Sequence, residues 1–237
     1  NGKRYNPREV VKTKTVFNLP LRYKKTKSNV WNGRPLLFTS SLTDFFHEGC
    51  DSFRDEAWDI IRRCPHIIFQ TLTKRPERIM QCVPSDWGDG WDNVWLGTSV
   101  GSGKGIQRLR DLMEVKTKIR FLSAEPLHSA LDITDFLYTR YVMGGARHPY
   151  NQLDWVIVGG ESGNGNKPND SSVKYRYREC KLDWIEKIAG DCISAKVPVF
   201  VKQLGTHLSK EMKLTDRHGG DILEFPKYLQ IREFPKN

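Results

Sequence analysis

Acids and cations stand just beyond several short apolar runs of this sequence. That is where a chain of alternating strands and helices keeps its reactive groups. The run ending Phe38-Thr39-Ser40-Ser41 leads to Asp44, His47 and Glu48, an acid, an imidazole and a second acid able to transfer protons. Asp44 is also a helix-capping residue type. His47 and Glu48 are adjacent and point apart in regular structure, which makes them a poor metal pair. In Leu72-Thr73-Lys74-Arg75-Pro76, Thr73 reads as a helix cap, with Lys74 and Arg75 beside the positive end of that helix. Cations there disfavour the helix, so a phosphate or carboxylate ligand is expected to offset them.

Ser123-Ala124-Glu125-Pro126 and Gly159-Gly160-Glu161-Ser162-Gly163-Asn164-Gly165 each place an acid after an apolar run. Gly159 and Gly160 let a ligand approach the backbone while Glu161 takes a hydroxyl or ammonium group. The last run ends Lys202-Gln203. A lysine on an apolar strand is rarely buried unless paired, so Lys202 is expected to meet Glu125 or Glu161 on the floor of a polar pocket. The candidate catalytic residues are therefore Asp44, Glu125 and Lys202. Lys74, Arg75, Gly159, Gly160, Glu161 and Gln203 are the candidate substrate- or cofactor-binding residues, and no residue is assigned to a metal.

Two phosphate motifs fail. Gly101-Ser102-Gly103-Lys104-Gly105 lacks the glycine at position 98 and the Ser or Thr at position 105 that a P-loop requires. The dinucleotide fingerprint GxGxxG follows none of the apolar runs. Cys50, Cys64, Cys82, Cys180 and Cys192 are odd in number and widely spaced, which fits neither a disulfide framework nor a CxxC metal site. They read as reduced core thiols, with Cys82 and Cys180 on helical patterns.

The elements that must position these groups are legible as an alternation. Leu36–Ser40, His66–Thr71, Val94–Ser99, Ile119–Ser123, Trp155–Gly159 and Pro198–Lys202 read as strands. Between them, Asp51–Arg63 puts Phe53, Ala57, Ile60 and Ile61 on one helical face. Ile106, Leu109, Leu112 and Met113 form a second stripe, and Leu182, Ile185, Ile188, Ala189 and Cys192 a third. Continuous apolar strands alternating with helices predict a parallel α/β sheet. Candidate groups at many strand ends, rather than at one switch point, favour a TIM-like (β/α) barrel, complete or partial, over a doubly wound sheet. Trp87–Trp91 and Gly144–Asn151 read as irregular loops.

With 237 residues, 38% of them apolar, the chain can bury the core of one domain. The net charge of +10 is uneven: residues 1–34 carry ten Lys or Arg against one acid, and 35–237 are nearly balanced. The expected organisation is a basic N-terminal segment, 1–34, less tightly packed than the rest, followed by a single α/β-barrel domain, 35–237. Such a basic segment neutralises phosphates, so nucleic acid or another anionic substrate is an expected partner. No apolar run reaches eighteen residues and none opens the chain, so a cytoplasmic protein without membrane association is expected.

Several ordered motifs together resemble one family. They are Phe38-Thr39-Ser40-Ser41 through Glu48, Leu72 through Arg78, Asn93 through Val100, Arg120 through Leu127, Leu153 through Gly163, and Asp216-Arg217-His218-Gly219-Gly220-Asp221. The chain is similar, from about Phe17 to Phe234, to a phage and bacterial family of unknown function. Its members carry an N-terminal three-cysteine motif and look like radical S-adenosylmethionine enzymes. The resemblance implies a barrel, an iron–sulfur cluster and S-adenosylmethionine as radical source. The three-cysteine loop would lie upstream of Asn1, so no cofactor is expected on this chain, while the full-length protein is expected to take both. The family often has an acid shortly after Val100, where this chain has Gly101-Ser102-Gly103-Lys104, and that acid's role does not transfer.

The resulting expectation is a radical-SAM-like enzyme of unknown reaction with a polar, anion-accepting pocket at the strand C-terminal ends. The competing one is a non-catalytic nucleic-acid-binding module using the basic segment with aromatics such as Tyr5 and Tyr23. Metal-assisted hydrolysis at His47 and Asp44 comes third, because no spaced histidine pair supports it.

Overall fold

The computed structural model describes residues 10–13, 16–23, 30–40, 43–138, 152–163 and 177–236. Among the described residues seven strands occur: β1 (Val30–Trp31), β2 (Arg34–Thr39), β3 (Ile68–Thr73), β4 (Val94–Ser99), β5 (Ile119–Ala124), β6 (Trp155–Gly159) and β7 (Val199–Gln203). The α-helices are α1 (Asp51–Arg63), α2 (Ile79–Cys82), α3 (Ile106–Met113), α4 (Leu182–Ala195) and α5 (Gly205–Glu211). Strand order follows sequence order, β1 to β7, without reversal. The β2–β3, β5–β6 and β6–β7 pairs are parallel. This is the connectivity of a partial TIM-like barrel, not of a doubly wound sheet with a switch point.

The chain divides into two compact units. The first comprises residues 1–97 and 115–118. In it the two residues between β1 and β2, Asn32 (φ 47°) and Gly33 (φ 75°), turn a hairpin in which Trp31 faces Arg34. Positive φ at both positions is what such a turn demands, and Asn-Gly is the pair that supplies it. On α1, Trp58, Ile60 and Ile61 are buried, and Trp58 meets Phe45, Trp87 and Trp91 edge-on or tilted. The irregular Trp87–Trp91 stretch is thus anchored by aromatic contact, and Trp87 Nε1 donates to the Lys116 carbonyl at 2.8 Å.

The second unit comprises residues 98–114 and 119–237. Its strands β5 and β6 are almost wholly buried, as apolar strands covered by helices must be. On α3, Leu109 and Leu112 are buried, and on α4 Ile185, Ile188, Ala189 and Cys192. The apolar stripes read from the sequence are therefore the inward faces. Cys180 precedes α4 rather than lying on it. Gly190, on the exposed side of α4, has nothing within 4 Å of where a Cβ would be. Gly190→Ala is expected to stabilise the protein by roughly 0.5–1 kcal/mol by restricting the unfolded chain. A thermal melt should show an increase of about 2 °C, and a lower melting temperature would contradict a regular helix at that point.

Candidate active site

Three strand ends of the second unit carry the densest chemistry. Glu125 follows β5, Gly159 ends β6, and Lys202 lies near the end of β7. The pairing of β6 with β7 slips between Val158 and Gly159, so Val158 faces Val201 while Gly159 faces Gln203. Lys202 is the extra residue of this bulge, and a bulge re-aims side chains. Its Nζ reaches Glu125 Oε2 at 3.1 Å, across the intervening strand β6. The crossing depends on Gly159, where a Cβ would stand 2.7 Å from Glu125 Oε1.

The two partners differ in environment. The Glu125 side chain is 12% exposed and that of Lys202 is 54% exposed. Ser123 Oγ donates to Oε2 at 3.4 Å. Oε1 is buried without a hydrogen-bond partner among the described residues. Burial raises the carboxyl's proton affinity above the ordinary glutamate range, and the Lys202 charge offsets this only in part.

Around this pair the backbone is held tightly. Gly160 N–H donates to the Gln203 carbonyl at 3.1 Å, and Gln203 Nε2 donates to the Gly160 carbonyl at 2.8 Å. Gln203 therefore fastens β6 to β7. Glu161 accepts from Arg178 N–H at 2.8 Å, Nε at 2.9 Å and Nη2 at 3.3 Å. Burial pushes the Glu161 carboxyl upward, but the Arg178 hydrogen bonds and charge outweigh it and hold the group below its ordinary range.

Asp44, Lys74 and Arg75 belong to the first unit. The Asp44 oxygens accept from Phe46 N–H (3.0 Å), Thr73 Oγ1 (2.7 Å), Lys74 N–H (2.8 Å) and Arg75 Nη1 (3.2 Å). The carboxylate thereby ties the segment after β2 to the turn after β3. Thr73, the last residue of β3, accepts from Arg75 N–H at 2.9 Å and so braces the turn before the short 3-10 segment Pro76–Arg78, whose N-cap is Arg75 without a side-chain cap bond, not Thr73 as expected. Arg75 further approaches Glu48, and Arg78 pairs with Glu48 and Asp51. The arginine charges here already face protein acids, and the Lys74 side chain is exposed. His47 caps a short turn, its Nδ1 accepting from Gly49 N–H at 2.9 Å. Among the described residues no group of three His, Cys, Asp or Glu is placed to hold a metal.

A family model described as "Protein of unknown function (DUF5131)" matches residues 4–231. The chain belongs to this family. No curated protein and no solved structure gives a match. Family membership thus brings no assigned reaction, and the chemistry has to be read from the side chains.

One site residue escaped sequence reading. His128 lies three residues after Glu125, its N–H bonded to the Gly101 carbonyl at 3.0 Å. Its only sequence signal is position, shortly after a strand-end acid. A cleft of about 350 Å³ in the same unit, lined by Glu179, Asp183, His207 and Met212 among others, includes none of the expected site residues. Much of the basic segment, with Tyr5, lies outside the described residues, as do Asn164, Gly165 and the whole 144–151 loop. Lys12, which is described, pairs with Glu56 and lies 4.4 Å from the Phe17 ring centroid. Among the described residues no helix is long and apolar enough to cross a membrane.

Proposed function

We propose that this protein is an enzyme acting on a small polar substrate at the C-terminal ends of β5, β6 and β7, with Glu125 as general acid–base. The observation that carries this reading is the buried, unpartnered Oε1 of a carboxyl group whose other oxygen is held by Lys202. A buried acceptor without a partner costs free energy, and such defects gather at functional sites. Raised proton affinity moves the carboxyl toward the working pH, where one group can both give and take a proton. Lys202 limits that rise and presents an ammonium to solvent beside the reacting position.

The resemblance to radical S-adenosylmethionine enzymes supports that molecule as a ligand, since its amino-acid part needs acceptors for an ammonium group. Glu125 Oε1 and Glu161 are the strand-end acceptors, the second already occupied by Arg178. The cysteines do not fit an iron–sulfur cluster. Cys50, Cys64, Cys180 and Cys192 are buried, and burial pushes the thiols of Cys180 and Cys192 up to about 12, away from the thiolate a metal needs. No step of this proposal passes through a cluster.

Wild type and Glu125→Gln, incubated with a small-molecule cell extract and compared by mass spectrometry, test the reading. At least one compound should be consumed by wild type alone, with a rate loss of about 100-fold or more in the variant. Identical profiles from two folded proteins would remove Glu125 from catalysis.

A further inference from the structure

We propose that His128, Lys104 and Arg178 form a subsite for an anionic group, phosphate or carboxylate, on the substrate that Glu125 serves. The inference rests on the Glu125 reading for what the anion is attached to, and on separate residues for the anion itself. His128 is fixed against the turn after β4. Its N–H bonds the Gly101 carbonyl, and a Cβ on Gly101 would lie 3.1 Å from the ring carbon Cδ2. Lys104 stands on that same glycine-rich turn, exposed and without an ion pair among the described residues. Arg178 binds Glu161 through Nε and Nη2, leaving Nη1 without a partner among the described residues on a side chain that is 52% exposed.

Leu127 N–H bonds the Gly159 carbonyl at 2.9 Å, which sets His128 beside the segment that carries Glu161 and, through it, Arg178. Burial first, then the Arg178 and Lys104 charges, disfavours protonation of His128, with a hydrogen bond to its own backbone and the Glu161 charge opposing. The field of two cations and one acid disfavours the imidazole's second ring proton, the N–H left to donate to a ligand. An arriving anion fits this field, accepts that hydrogen bond and reverses the penalty on the second proton. The subsite also suits a small molecule. Three residues of chain span at most about 10 Å, so a single substrate can reach Glu125 and His128 together.

The test uses the full chain and histidine NMR. Inorganic phosphate, titrated at constant ionic strength against chloride, should shift the His128 signals saturably and raise its apparent pKa by about one unit. His66 and His207 should not follow. Lys104→Gln, an exposed change, should weaken phosphate binding about fivefold. A His128 response equal to that in chloride, or shared by all the histidines, would overturn the subsite. So would a response to a short single-stranded oligonucleotide where phosphate and a phosphate monoester give none. Because the readout needs no turnover, the two readings fail separately. Phosphate binding with no substrate consumed counts against Glu125 alone, and turnover without a His128 response counts against the subsite alone.

Discussion

Gly160→Ala should destabilise the protein by about 3 kcal/mol or more, among the largest effects of any one-methyl addition to this chain. A Cβ at Gly160 would lie 2.2 Å from the carbonyl oxygen of Leu204 and 3.0 Å from its carbon, both main-chain atoms. Neither side can retreat freely. Gly160 N–H is bonded to the Gln203 carbonyl, Leu204 N–H to the Gly219 carbonyl at 2.7 Å, and Thr206 N–H to the Glu161 carbonyl at 2.9 Å. Gly205, at φ +89°, closes the contact from the other side, its own Cβ position being 2.7 Å from the Gly160 carbonyl carbon. The chain leaving β6 and the chain entering α5 therefore touch backbone to backbone. Relief requires breaking one of those bonds. Thermal unfolding should shift down by roughly 6–12 °C, whereas a loss below about 1 kcal/mol would show that the two segments are not in contact.

The alternation of strands and helices was legible because buried parallel strands are continuous apolar runs and their covering helices carry one apolar stripe. Boundaries were less so. The run from His66 to Thr71 is apolar enough to be a strand, but pairing sets the register: Leu36 faces Ile68, while Ile67 N–H turns back to the Cys64 carbonyl. The strand accordingly occupies Ile68–Thr73, two residues later. The Asn32-Gly33 hairpin was written in the sequence and went unread, because its strand β1 is only two residues long. In the site, strand-end acids announced themselves, but their partners did not. Whether Lys202 meets Glu125 or Glu161 depends on a bulge that no residue pattern encodes, and Glu161 is instead taken by Arg178, seventeen residues along the chain. Asp44 shows the converse limit. Its position after β2 marked it for catalysis, but four donors converge on its two oxygens, a tertiary fact invisible to spacing.

Lys202→Met should reveal the state of Glu125 through the pH dependence of stability. In the wild type, burial holds the Glu125 carboxyl above its ordinary range and Lys202 limits the rise. Between those two values the folded state binds a proton that the unfolded state does not, so stability falls as pH rises through the window. Removing the ammonium takes away the restraining influence and extends the window upward. The variant should therefore match wild type within about 0.5 kcal/mol near pH 4, where the carboxyl is neutral in both, and diverge as pH increases. Loss of one partner from a buried pair costs about 3–5 kcal/mol, but the half-exposed Lys202 is partly replaced by water. A deficit of about 2 kcal/mol near pH 8 is the expected result. Adding Glu125→Gln to Lys202→Met removes the buried charge and should restore most of the deficit, leaving stability nearly flat across the same pH range. Denaturant titrations of the four proteins at several pH values give the complete cycle. A pH-independent deficit, or one that Glu125→Gln fails to relieve, would mean that Lys202 stabilises the fold by packing and not by its charge on Glu125.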